Sequence, residues 1–147
     1  MKSDGAQQIR LLVLAGTREA RHVVSELSRD RRFDLIASLA GATPSPLPLA
    51  APVHSGGFGG AEGLAQFCRE RSIDAIIDVP HPFARHISRN AAAASLAAEI
   101  PCLAYNRPPW RAEAGDQWRE FDSWQEMVAN IPAGMRVFLA GGTASIE

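Results

Sequence analysis

Hydrophobic and polar positions fall along the chain in blocks whose period changes, and the blocks read as strands followed by helices. Ile9-Arg10-Leu11-Leu12-Val13-Leu14-Ala15 is a nearly unbroken apolar run of β-forming residues stopped by Gly16. Such a run predicts a strand covered on both faces, as in the middle of a parallel sheet. From Arg18 to about Arg29 the period lengthens to that of a helix: Ala20, Val23, Val24 and Leu27 form one stripe, with Arg18, Arg21, Glu26 and Arg29 on the wet side. Asp34 to Ser38 predicts a second short strand. Ala40 to Pro52 carries four prolines and predicts a loop, which leads into Val53-His54-Ser55 and the glycine-dense Gly56-Gly57-Phe58-Gly59-Gly60.

The alternation continues. A second amphipathic helix covers about Ala61 to Arg71, with Leu64, Phe67 and Cys68 on one face, and Ala75-Ile76-Ile77-Asp78-Val79 is another buried strand, halted by Pro80 and Pro82. Arg85 to Glu99 predicts an alanine-rich helix with Ile87, Ala91, Ala94 and Ala98 in register, and Cys102 to Tyr105 the next strand. Asn106 to Glu120 is a connection bearing prolines and tryptophans. Ser123 then caps a helix to about Asn130, with Glu126 as the return half of a capping box. A last strand, Arg136 to Ala140, runs into Gly141-Gly142-Thr143.

Strands alternating with helices predict an α/β fold with a doubly wound parallel sheet, and 147 residues suit a single domain spanning 1–147. The net charge of −1 leaves no field to draw in nucleic acid or an anionic membrane. No window is apolar for long enough to span a bilayer, and Met1-Lys2-Ser3-Asp4-Gly5 lacks the apolar core of a secretory signal, so a cytoplasmic protein is expected. Cys68 and Cys102 have no Cys or His at ligand spacing; both read as small buried residues, and no metal site is expected.

Ligands of open parallel sheets bind beyond the carboxyl ends of the strands, so the turns there are where chemistry is expected. Ala15-Gly16-Thr17-Arg18-Glu19-Ala20 combines small residues, a helix start and a hydroxyl, which suits either an anion or an ordinary helix cap. After the second strand, Ser38-Leu39-Ala40-Gly41-Ala42-Thr43 stands where a dinucleotide-binding domain meets the adenosine ribose, but without an acid for the ribose hydroxyls. Four glycines around Phe58 are costly to order, so they point to a backbone laid close to a ligand, with a merely flexible loop as the alternative. In Asp78-Val79-Pro80-His81-Pro82-Phe83-Ala84, two prolines fix His81 at a strand end, where it would donate to a phosphate, orient a ring, transfer a proton or make a structural hydrogen bond. Ser88-Arg89-Asn90 and Asn106-Arg107-Pro108-Pro109-Trp110-Arg111 offer cations near the same rim. His22 and His54 carry no comparable argument.

Taken in order, the first turn, Ser38-Leu39-Ala40-Gly41, Gly56 through Leu64, His81-Pro82-Phe83-Ala84, Ile87-Ser88-Arg89-Asn90-Ala91 and Arg107-Pro108-Pro109-Trp110 resemble the precorrin-6A reductase family of cobalamin biosynthesis along essentially the whole chain. The resemblance implies a Rossmann-like fold and NADPH-dependent reduction of precorrin-6A to precorrin-6B. It also implies a cofactor held by Gly16, Thr17, Arg18, Glu19, Ser38, Ala40, Gly41, Gly57, Phe58, Gly59 and His81. The carboxylates of the tetrapyrrole would then meet Arg89, Asn90 and Arg107. His81 is the candidate catalytic residue, expected to orient more than to supply an essential proton.

The chain departs from the family pattern at Ala15, Ala42 and Pro80, where the family has Gly, Arg and Thr, and at Leu139-Ala140-Gly141-Gly142. The family's second α/β half does not follow within the 147 residues. A truncated or degenerate nucleotide-binding module without turnover is therefore the rival expectation.

Overall fold

A computed structural model describes residues 7–39, 48–79, 84–105 and 111–139, with Arg85 described by its backbone alone. The chain divides into two compact units, Met1–Pro108 and Pro109–Glu147.

The first unit is built on five parallel strands, β1 (Ile9–Ala15), β2 (Phe33–Leu39), β3 (Val53–Ser55), β4 (Ala75–Asp78) and β5 (Cys102–Ala104), in the order β3-β2-β1-β4-β5. The chain starts at the centre, steps outward through β2 and β3, then returns past β1 to build β4 and β5. The direction reverses between β1 and β4, and loops diverging there leave a crevice at the carboxyl ends of these two strands.

Helix α1 (Arg18–Leu27) covers one face. Its Ala20 and Val24 are fully buried against Leu11, Val13, Leu35, Ala37 and Val79, with Val23 and Leu27 partly buried beside them, which is the expected stripe. Leu49 and Ala51, in the proline-rich loop, pack on the same face. Helices α2 (Gly60–Glu70) and α3 (Arg85–Ala98) cover the other face through Leu64, Ala65, Cys68, Ala91 and Ala94, which meet Leu12, Leu14 and Ile76. Ala91 and Ala94 are both fully buried, so the small side chains of α3 do permit a close approach. Cys68 is a free thiol buried in this cluster, as expected, whereas Cys102, also free, is only half-buried against it.

Arg10, the polar exception in the first apolar run, works at the amino edge, away from the crevice. Its Nε lies 2.7 Å from Asp34 Oδ2, on its register partner in β2, its backbone N–H donates to Asp74 Oδ2 at 2.7 Å, and Nη1 donates to the Arg71 carbonyl at 2.9 Å.

In the second unit, helix α4 (Trp124–Ala129) begins at Ser123, whose Oγ accepts from Glu126 N–H at 3.2 Å. Glu126 Oε2 accepts from the Asp122 amide, one residue outside the expected box. Residues 135–139 form no strand, contrary to the apolar pattern, and Val137, Phe138 and Leu139 are exposed. A strand exists through its ladder, and a β-prone segment with no paired neighbour does not become one.

Candidate functional site

At the carboxyl ends of the strands, the first unit opens into a cleft of about 360 Å³. Its walls come from the β1–α1 turn (Leu14, Ala15, Gly16), Ser38 at the end of β2, the loop from Gly56 to Gly60, and Asp78, Val79, Ala84, His86, Ile87 and Asn90 around β4 and α3. The residues leading into α1, α2 and α3 all line it, so three helix N-termini, each carrying the positive end of a backbone dipole, converge on one space.

The three starts are capped differently. Thr17 caps α1: its Oγ1 accepts from Ala20 N–H at 3.1 Å and donates to the Val79 carbonyl at 3.4 Å. The hydroxyl is therefore engaged within the fold, and an anion here would be held by the backbone. Helices α2 and α3 begin at Gly59 and Ala84, neither of which supplies a side-chain cap.

The glycines of the cleft fall into two classes. Gly56, Gly59 and Gly60 have φ of 109°, 78° and 92°, left-handed conformations that any Cβ would strain. Gly16 and Gly57 have no such φ, and a Cβ built on either meets nothing within 4 Å. Neither backbone strain nor packing against the described residues requires glycine at 16 and 57, and both line the cleft. A phosphate-bearing dinucleotide fits such a cradle, where bare backbone and helix N-termini face an open space.

Gly63 is different again. It lies inside α2, and a Cβ there would collide with the Phe58 carbonyl oxygen and sit 2.9 Å from its carbon. The absence of that side chain lets the glycine loop fold down onto the helix. Phe58 is held by its ring, stacked on His54 at 4.7 Å and edge-on to Phe67 at 5.1 Å.

Beneath the cleft, the register aligns His54, Ser38, Leu14, Asp78 and Ala104 across all five strands. Ser38 and Asp78 are buried polar side chains, with Asp78 only 2% exposed. Burial pushes the Asp78 carboxyl above the usual carboxylate range, and a hydrogen bond with Ser88 partly opposes this. Its Oδ1, like the buried Nε2 of His54, has no hydrogen-bond partner among the described residues. Among the described residues no group of His, Cys, Asp and Glu is arranged to hold a metal ion, and no helix is long and apolar enough to cross a membrane.

Of the residues singled out in the sequence, Gly16, Ser38, Gly57, Phe58, Gly59 and Asn90 line the cleft together. Thr17 caps the helix at its edge, Arg18 and Arg89 are exposed, and Glu19 lies in the first turn of α1. His81, Ala40, Gly41, Ala42 and Arg107 lie outside the described residues. Sequence reasoning missed Asp78 and His86 as cleft residues and His54 as the support of Phe58. A charged residue inside a fully apolar strand was the available signal for Asp78.

The family model for precorrin-6x reductase CbiJ/CobK matches residues 10–147. A precorrin-6A reductase of a Sinorhizobium species is 43% identical over 95% of this chain and 54% of its own length, and one from Rhodobacter capsulatus 41% identical over 90% and 53%. The chain thus spans about half the length of the curated relatives it matches. Among solved structures, CobK precorrin-6A reductase superposes with a TM-score of 0.79 at 38% identity, covering 85% of this chain and 49% of that one. A Rossmann-fold NAD(P)-binding family protein from Shigella flexneri, at 19% identity and a TM-score of 0.50, shares the fold. With a Rossmann-like sheet, a glycine-lined cleft at its switch point and these matches along nearly all its length, the chain belongs to the precorrin-6x reductase CbiJ/CobK family.

Proposed function

We propose that this chain is the cofactor-binding part of an NADPH-dependent reductase that converts precorrin-6A to precorrin-6B in cobalamin biosynthesis. The observation that carries the reading is the pair Gly16 and Gly57, glycines that the fold itself does not need and that open onto a cleft ringed by helix N-termini. Bare backbone at these points lets a pyrophosphate approach, and the dipoles favour its charge. Ser38, at the end of β2, is proposed for the side of the adenosine ribose, together with Ala40 and Gly41, which follow it in the sequence.

When bound, reduced nicotinamide supplies the hydride; the protein's own part is to hold and align. The floor of Leu14 and the wall of Val79 and Ile87 exclude water from the ring side of the cleft. Arg89, Asn90 and Arg107 are the groups proposed for the substrate carboxylates, and His81 for orientation at the rim.

Calorimetric titration of NADPH against the wild-type chain, Gly16→Ala and Gly57→Ala tests the reading. Both substitutions are expected to weaken binding by about tenfold or more, since a methyl group forced against a ligand costs about 1–3 kcal/mol. Melting temperatures without nucleotide should stay unchanged. Wild-type affinity in both variants would remove the dinucleotide from this cleft. NADPH binding without oxidation of NADPH by precorrin-6A, even in a chain extended by the second half of its relatives, would favour the non-catalytic module.

A further inference from the structure

The acid beneath the cleft is not explained by the fold. Asp78 is 2% exposed, and Ser88 accounts for one of its oxygens, while Oδ1 has no partner among the described residues. An unpaired buried carboxyl oxygen is costly, and native proteins retain few of them. Among the described residues no lysine or arginine side chain lines the cleft, whose titratable lining consists of Asp78 and His86. Asp78 also forms part of the cleft lining, where a donor on a bound ligand can reach it.

Position narrows what that partner is. Asp78 ends β4, and β4 lies on the opposite side of β1 from β2 and β3. With the pyrophosphate at the β1–α1 turn, an extended dinucleotide places its adenosine half toward β2 and β3, over Ser38 and the glycine loop, and its other half toward β4. The groups available on that half are the two hydroxyls of the second ribose and the carboxamide of the nicotinamide. Both present hydrogen-bond donors, and a carboxylate oxygen is an acceptor.

We propose that Asp78 is the ligand-binding acid of the cleft, its Oδ1 accepting a hydrogen bond from the nicotinamide-bearing half of the dinucleotide, from a ribose hydroxyl or the carboxamide N–H. This rests on the dinucleotide reading above. Asp78 thereby fixes how deeply that half sits at the end of β4, and so where the reactive face of the ring stands relative to substrate. The buried carboxyl lowers the stability of the empty protein, and the bound nucleotide satisfies it.

Three probes separate the possibilities: NADPH, 2′-phospho-ADP-ribose, which lacks only the nicotinamide, and 2′,5′-ADP, which lacks the entire second half. Each is titrated calorimetrically against the wild-type chain and Asp78→Ala. Loss of a hydrogen bond to a buried charged group predicts NADPH binding weaker by about tenfold or more, with 2′,5′-ADP unchanged. If 2′-phospho-ADP-ribose weakens in parallel with NADPH, the donor is a ribose hydroxyl; if only NADPH weakens, it is the carboxamide. Equal weakening of all three probes, or of none, overturns the proposal. Failure of the wild type to bind any of them defeats the dinucleotide reading instead.

Asp78→Asn, which keeps the shape and an acceptor for Ser88, provides a readout independent of affinity. Its melting temperature without nucleotide is expected at or above wild type, and the rise on adding NADPH is expected to be smaller. A lower melting temperature with an undiminished NADPH response would make Asp78 a structural residue and overturn the assignment.

Discussion

Replacing Gly63 by alanine should destabilise the protein, although alanine is the better helix former. In an exposed helix interior the exchange gains about 1 kcal/mol. Here the added Cβ meets the Phe58 backbone, at 2.9 Å from the carbonyl carbon and closer still to its oxygen, where about 3.4 Å is the lower end of ordinary contact. Backbone cannot swing aside as a side-chain tip does, so the loop must lift. Phe58 then leaves His54 and Phe67, its neighbours at 4.7 and 5.1 Å. Overpacking costs about 1–3 kcal/mol, and each lost aromatic pair about 0.5–1.5. After the helix gain is subtracted, a net loss of about 1–5 kcal/mol remains.

Urea unfolding of Gly63→Ala measures this directly, since a loss of about 2 kcal/mol moves the midpoint by about 1 M at a slope near 2 kcal/mol per molar. Gly57→Ala is the matched control. Its Cβ meets nothing in the protein, so its midpoint should stay at the wild-type value. A Gly63→Ala protein as stable as wild type, or more so, would refute the close approach of loop and helix.

Thr17→Ala should cost about 1 kcal/mol through loss of the α1 cap, with Thr17→Ser recovering most of it, both read by the same unfolding curves. Burial pushes the Cys68 thiol up to about 11, so iodoacetamide should modify it slowly at pH 8 in the native chain and quickly in urea. Equal rates in the two conditions would contradict its burial. Asp78 has a folded-state pKa raised by burial, so its favourable contribution is complete below the ordinary carboxylate pKa and is lost as pH rises through the folded value. The stability of Asp78→Asn relative to wild type should therefore grow as pH is raised from 4, in a setting where Ser88 and the Cys102 thiol are the described groups that interact with the carboxyl.

The elements legible in the sequence were those whose burial pattern is local. Leu11 to Leu14 announce a central strand because both faces are covered, and Ala20, Val23, Val24 and Leu27 announce a helix because only one face is. The strand Val53–Ser55 has three residues, too few for any period to show. Residues 136–139 carry β-forming side chains, but pairing is a non-local property that their composition does not contain. In the site, the turns at Gly16 and Gly57 were legible because glycine is costly where nothing demands it. Gly63 was not, because the atom that excludes a side chain belongs to Phe58 in the preceding loop, and His54 was not, because its partners come from two other segments.

The boundary between stability and function lies within one repeat of the strand pleat. On the face covered by α2 and α3, Leu12 is flanked in register by Ile36 and Ile76, with Cys102 beyond, an apolar rung that belongs to or packs against the core. Two residues further along the same strands, Leu14 is flanked by Ser38 and Asp78, with His54 beyond Ser38. Side chains of one face recur every second residue, so these rungs stand only about 7 Å apart. The lower one excludes water and holds helices; the upper one floors the cleft. Placing polar groups on the lower rung would cost the core, and an apolar upper rung would leave a ligand nothing directional to meet. The carboxyl ends of parallel strands are where this switch is possible, because the helices that cover the rung below begin at the level of the rung above. Their N-termini, at Gly59-Gly60 and Ala84, therefore face the same space as Ser38 and Asp78, as does that of α1 at Gly16-Thr17 from the other face.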